Sequence, residues 1–71
     1  MTLPVNHDVT PGLYRHYKGG LYTVIATARH SETEERLVVY RSESLGSVWV
    51  RPLAMWNETV DGRPRFARLP D

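Results

Sequence analysis

Two glycines in succession, Gly19 and Gly20, separate runs rich in β-branched and aromatic residues, and no window between Gly12 and Val50 sustains a helical period. Adjacent glycines supply the positive φ of a tight hairpin without steric cost. The first half of the chain is thereby committed to antiparallel strands, Leu13 to Tyr17 going out and Leu21 to Arg29 coming back. The acidic connection Ser31-Glu32-Thr33-Glu34-Glu35 leads to a third strand at Leu37 to Arg41. Ser44 to Ser47, with Gly46 inside, turns the chain into a fourth at Val48 to Arg51. Pro52 has no N–H to donate and ends the ladder. Leu53 and Trp56 have the spacing of one helical or 3₁₀ turn, and Asp61-Gly62 signals a second hairpin before a last strand around Arg65 to Ala67.

This order predicts an all-β fold: a small SH3-like barrel of four to five short antiparallel strands, with one short helical or 3₁₀ turn near the C-terminus. Closure has a physical attraction, because an open sheet in a chain of 71 residues leaves its edges unpaired. The length suits a single domain over residues 1–71, with an irregular N-terminal arm at 1–11 and the β domain at 12–68. A domain of this size buries only about 60% of the surface its unfolded chain exposes. No cysteine is present to staple it. The lack of cysteine, of a signal peptide and of a long apolar run fits a cytoplasmic protein with no membrane contact. The oligomeric state stays open.

Side chains alternate across a strand, so parity sorts the residues into two sets. One is aliphatic: Leu13, Leu21, Ile25, Leu37, Val39, Val48 and Val50. The other holds Tyr14, His16, Tyr22, Val24, Ala26, Ala28, His30, Val38, Tyr40, Trp49 and Arg51. A three-residue loop at Lys18-Gly19-Gly20 sets Tyr17 opposite Leu21 and His16 opposite Tyr22, and the next turn sets Val39 opposite Val50 and Tyr40 opposite Trp49. The aliphatic set is the expected core. Tyr14, His16, Tyr22, His30, Tyr40, Trp49 and Arg51 then form a partly open face, in residue types enriched at recognition hot spots. A peptide or protein is the expected partner. The competing reading is that the rings are simply the bulk of a small core.

Other chemistries are less well supplied. A formal charge of +1 advertises no nucleic-acid binding, although Arg51, Arg63, Arg65 and Arg68 crowd the last third, interleaved with Glu58, Asp61 and Asp71. Rings stacking on bases beside those arginines keep nucleic acid as the alternative partner. His16 and His30 beside Glu32, Glu34 and Glu35 are the raw material of a small enzyme or metal site, but no metal-ligand spacing is present. Ser31 adjoins His30, yet neighbours in a strand point to opposite faces. No catalytic residue, metal ligand or cofactor is assigned. Histidine is the side chain whose ordinary charge change falls near neutrality, so with His16 and His30 on this face binding is expected to depend on pH between about 5 and 8.

Four blocks carry a resemblance. These are Gly12-x-Tyr14-Arg15-His16-Tyr17-Lys18-Gly19-Gly20-x-Tyr22-x-Val24, Ala28-Arg29-His30-Ser31-Glu32-Thr33, Leu37-Val38-Val39-Tyr40-Arg41 and Val48-Trp49-Val50-Arg51-Pro52-Leu53. In this order and spacing, over about residues 12 to 66, the chain resembles a small bacterial family known as domain of unknown function 1653. Trp56 stands where another aromatic, usually Phe, is expected. The resemblance implies a short cytosolic protein and brings no established activity with it.

Overall fold

The computed structural model describes residues 9–70. The expected arm at 1–11, with His7, falls largely outside them. Its last residues do not hang free: Val9 is buried, and the Tyr14 hydroxyl donates to the Thr10 carbonyl at 2.7 Å.

The described residues form seven strands and one helical turn: β1 Gly12–His16, β2 Leu21–Arg29, β3 Arg36–Ser42, β4 Val48–Pro52, α1 Leu53–Trp56, β5 Thr59–Val60, β6 Arg63–Pro64 and β7 Phe66–Arg68. Five of them make an antiparallel sheet in the order β4-β3-β2-β1-β7, and β5 with β6 makes a separate two-stranded hairpin. The fold is mostly β. The expected closed barrel is corrected, because β4 and β7 are sheet edges with no ladder between them. They meet through side chains instead, the Arg51 guanidinium of β4 lying 5.5 Å from the centre of the Phe66 ring of β7. The strand count also exceeds four to five. The excess is the β5–β6 hairpin, turned by Asp61 and Gly62 at φ 53° and 81°, the left-handed pair a two-residue hairpin loop requires.

The β3–β4 hairpin has the expected register, with Val39 opposite Val50 and Tyr40 opposite Trp49. Ser42, buried at its end, accepts the Gly46 N–H on its carbonyl at 2.7 Å and the Leu45 N–H on its hydroxyl at 3.2 Å. The β1–β2 register differs by two residues: Tyr14 faces Tyr22 and Arg15 faces Leu21. Three contacts move the loop one residue earlier, to Tyr17-Lys18-Gly19: His16 N–H to Gly20 O at 2.7 Å, Gly19 N–H to His16 O at 2.7 Å, and Tyr17 N–H to Arg65 O at 2.9 Å. A shift of two preserves parity, so the faces of this hairpin stay as sorted.

Which face is core is reversed. The buried residues are Val9, Tyr14, Val24, Val38, Tyr40, Leu53, Trp56 and Phe66, whereas Leu13, Leu21, Ile25, Val48 and Val50 are exposed. The reason lies in what covers the sheet. Pro52 opens α1 at φ −54°, and its single turn lays Leu53 and Trp56 on the aromatic face, where β7 adds Phe66. Trp56 and Phe66 stack with ring centres 3.7 Å apart and planes 3° from parallel, and the Tyr14 and Tyr40 rings pack against Trp56 at 5.5 and 5.1 Å. Rings fill a small core efficiently, each well-set pair contributing about 0.5–1.5 kcal/mol beyond its buried area.

Candidate functional site

His16 is the residue around which polar groups and rings converge. It ends β1 opposite Phe66, half-buried, with the Phe66 ring edge-on at 4.9 Å, Tyr22 at 6.4 Å and Tyr17 tilted at 4.5 Å. Its Nδ1 accepts the Lys18 backbone N–H at 3.1 Å, which leaves the neutral imidazole with its proton on Nε2. Burial pushes its pKa down from the usual histidine value, and the positive charges of Arg51, Arg65 and Lys18 push it the same way. The imidazole is therefore a neutral donor at pH 7, ringed by cations.

Those cations are unequally occupied. Arg65 donates to Glu58 at 2.9 Å, while its Nε is buried without a hydrogen-bond partner among the described residues. Arg51 lies over Phe66 and Lys18 over Tyr17, the latter at 5.7 Å, and neither forms an ion pair among the described residues. Beside His16 opens a cleft of about 270 Å³ lined by Arg15, His16, Tyr17, Arg63, Pro64, Ala67 and Leu69. A larger hollow of about 410 Å³, between Glu35, Arg36, Leu53, Ala54 and Asn57, has no ring in its wall. The chemistry of recognition is concentrated at the first, not the second.

The expected face divides into four groups. Tyr14 and Tyr40 are buried, and burial raises the Tyr14 pKa. His16, Tyr22 and Arg51 are half-buried at the rim, with Tyr22 edge-on to Tyr40 at 5.5 Å and to Phe66 at 5.7 Å. Trp49 is exposed on the β4 edge, its indole N–H donating to Ser47 Oγ at 2.9 Å. His30 is elsewhere. A bulge between Val24 and Ala26 shifts the pleat of β2, and His30 follows the strand as a turn former, its Nδ1 accepting the N–H groups of Glu32 and Thr33 at 3.1 and 3.3 Å. The whole length of β2 thus separates His30 from His16, and the two imidazoles share no site.

Sequence reasoning missed Phe66, the ring shared by His16, Tyr22, Trp56 and Arg51. Its signal was faint: the chain's lone phenylalanine, set between Arg65 and Ala67 in a short arginine-rich run. Among the described residues no cluster of three or more His, Cys, Asp or Glu is placed to hold a metal, and no helix is long and apolar enough to cross a membrane.

Residues 12–68 match the family model described as protein of unknown function (DUF1653). The fold is similar to the crystal structure of a DUF1653 protein from Bordetella bronchiseptica, with 43% sequence identity and a TM-score of 0.79 over 86% of this chain and 87% of that one. No curated protein matches the chain.

Proposed function

Because the chain belongs to the DUF1653 family, whose description names no activity, we propose its function from the surroundings of His16: a binding module that holds an extended, carboxylate-bearing segment of a peptide or protein. One observation carries this reading. A neutral, half-buried His16 sits among Lys18, Arg51 and Arg65, two of which lack a carboxylate among the described residues. Gathering cations in one neighbourhood costs free energy through their mutual repulsion, and an incoming carboxylate offsets that cost through charge-assisted hydrogen bonds. Tyr17 and Pro64 supply apolar wall to the cleft, Phe66 and Tyr22 brace the His16 ring edge-on from behind, and His16 Nε2–H is an oriented donor.

The same set of rings and cations is also the chemistry of single-stranded nucleic acid binding. The packing favours a carboxylate, since Tyr22, Phe66 and His16 meet edge to face and spend their ring faces on one another. In this reading the module works in the cytoplasm as one domain, and its rolled sheet is an SH3-like barrel open along one seam. The order β4-β3-β2-β1-β7, the helical turn after β4 and the Arg51–Phe66 contact across the seam support that.

The test is an amide NMR titration of labelled protein with a short Glu-containing peptide, its Gln counterpart and single-stranded DNA. Shifts at His16, Tyr22, Arg51 and Phe66 with the Glu peptide, lost with Gln and weakened roughly tenfold in Arg51→Ala, are expected. Shifts with DNA alone, falling steeply with added salt, would replace this reading by the nucleic-acid one.

A further inference from the structure

The β4 edge is a surface that the His16 cleft leaves free. In the β3–β4 hairpin the Ser42 N–H donates to Ser47 O at 2.9 Å. Alternation along an antiparallel ladder then makes Tyr40 with Trp49, and Val38 with Arg51, the hydrogen-bonded pairs. The backbone groups of Val48, Val50 and Pro52 therefore point away from β3, toward the free edge. Pro52 sits where its missing N–H costs the β3 ladder nothing. The edge offers two donors and two acceptors, the N–H and C=O groups of Val48 and Val50, because the carbonyl of Pro52, the N-cap of α1, is taken by the first bond of the helical turn.

The side chains along it are unusually open for apolar groups: Val48 is 56%, Trp49 51% and Val50 58% exposed. An apolar edge strand with free amides is a template for another strand, and proteins commonly blunt such edges with charge or proline. Here proline blunts one end, at Pro52, and Arg51 is the strand's one charge. Laid antiparallel on itself about its centre, Val48-Trp49-Val50-Arg51-Pro52 is self-complementary. Val50 faces Val50, Val48 faces Pro52 on the same side of the sheet, and Trp49 faces Arg51 on the other. No like charges meet, and each Arg51, whose guanidinium lies 5.5 Å from the centre of its own Phe66 ring, stands directly across the strand pair from the other copy's Trp49.

We propose that β4 pairs antiparallel with β4 of a second copy about Val50, joining two five-stranded sheets into one continuous sheet. The occupant is a second copy because the register places the strand's single cation against its single aromatic ring, which an arbitrary strand does not provide. Pairing over five residues a side falls below the roughly 1,200 Å² of a standard stable interface, so the dimer depends on concentration. This goes beyond the peptide-binding reading and shares only Arg51 with it, whereas its tests fall on Val50 and Leu45.

The chain has no cysteine, so a single introduced thiol reports the register. Facing residues in a hydrogen-bonded pair stand about 5.5 Å apart at Cα, within disulfide reach. Under mild oxidation Val50→Cys is expected to form covalent dimer at least about tenfold faster than Leu45→Cys at the exposed β3–β4 turn. In sedimentation equilibrium Val50→Lys, which sets like charges face to face, is expected to weaken dimerisation by about tenfold or more. Equal cross-linking rates, a monomer at every concentration up to millimolar, or a dimer indifferent to Val50→Lys would each overturn the proposal.

Discussion

His16 joins the core to the open rim, and its protonation is tied to both. Its pKa lies below the usual value, first through burial and then through Arg51, Arg65 and Lys18, so the folded state holds the neutral ring. As pH falls through the unfolded-state value of 6.5, the unfolded chain takes up the proton first, and stability falls until the folded imidazole is also protonated. We expect the melting temperature to drop between about pH 7 and pH 5, and the drop to flatten in His16→Gln. An unchanged slope in that variant would place the effect elsewhere. Glu43 acts in a separate, more acidic window: the Thr23 hydroxyl, then Arg41, hold its carboxyl below the usual value, so its contribution is present above about pH 4.5 and lost below. The Trp56–Phe66 stack is the other decisive pair. Phe66→Ala should cost about 3–5 kcal/mol in urea denaturation, enough to unfold a small domain, while the volume-sparing Trp56→Phe should cost less.

At the scale of elements, the turns decide what the strands can do. Gly46 closes the β3–β4 hairpin at φ 75°, in the left-handed region, and no atom lies within 4 Å of the position a Cβ would take. Gly46→Ala should therefore destabilise by about 1–2 kcal/mol through backbone strain alone, with no clash to relieve, and slow-exchanging amides in β3 and β4 should lose protection first. The same hairpin was fully legible in the sequence, because Gly46 fixed its turn and thereby its register. The β1–β2 hairpin was legible only in parity. Its loop is set by Tyr17 donating to Arg65, a partner 48 positions away that no local pattern encodes. His30 was misplaced for a related reason: the bulge at Ile25 moves the pleat by one residue, and β-branched sequence on both sides conceals it.

For the whole molecule, the sheet's two chemistries were sorted correctly as far as the β2 bulge, beyond which Ala26 and Ala28 change sides, but their assignment to inside and outside was not. Alternation identifies faces, and only the elements that dock decide which is buried; here α1 and β7 brought two rings to the aromatic side. The site follows the same logic, since Lys18, Arg51, Arg65 and Phe66 come from separate strands and turns and meet only in the fold. Formal charge is nearly balanced, yet the acids Glu32, Glu34 and Glu35 share the β2–β3 connection while the cations gather around His16. Arg51→Ala should accordingly raise the His16 pKa, read from its imidazole resonances, whereas Glu34→Gln should leave it in place. The central claim is that the cation cluster around His16 is completed by a carboxylate. Its most direct test is the His16 titration curve by NMR with and without the Glu-containing peptide. An upward shift of the His16 pKa on binding, absent with the Gln peptide, is the predicted result, and saturating peptide that leaves the curve unmoved would contradict it.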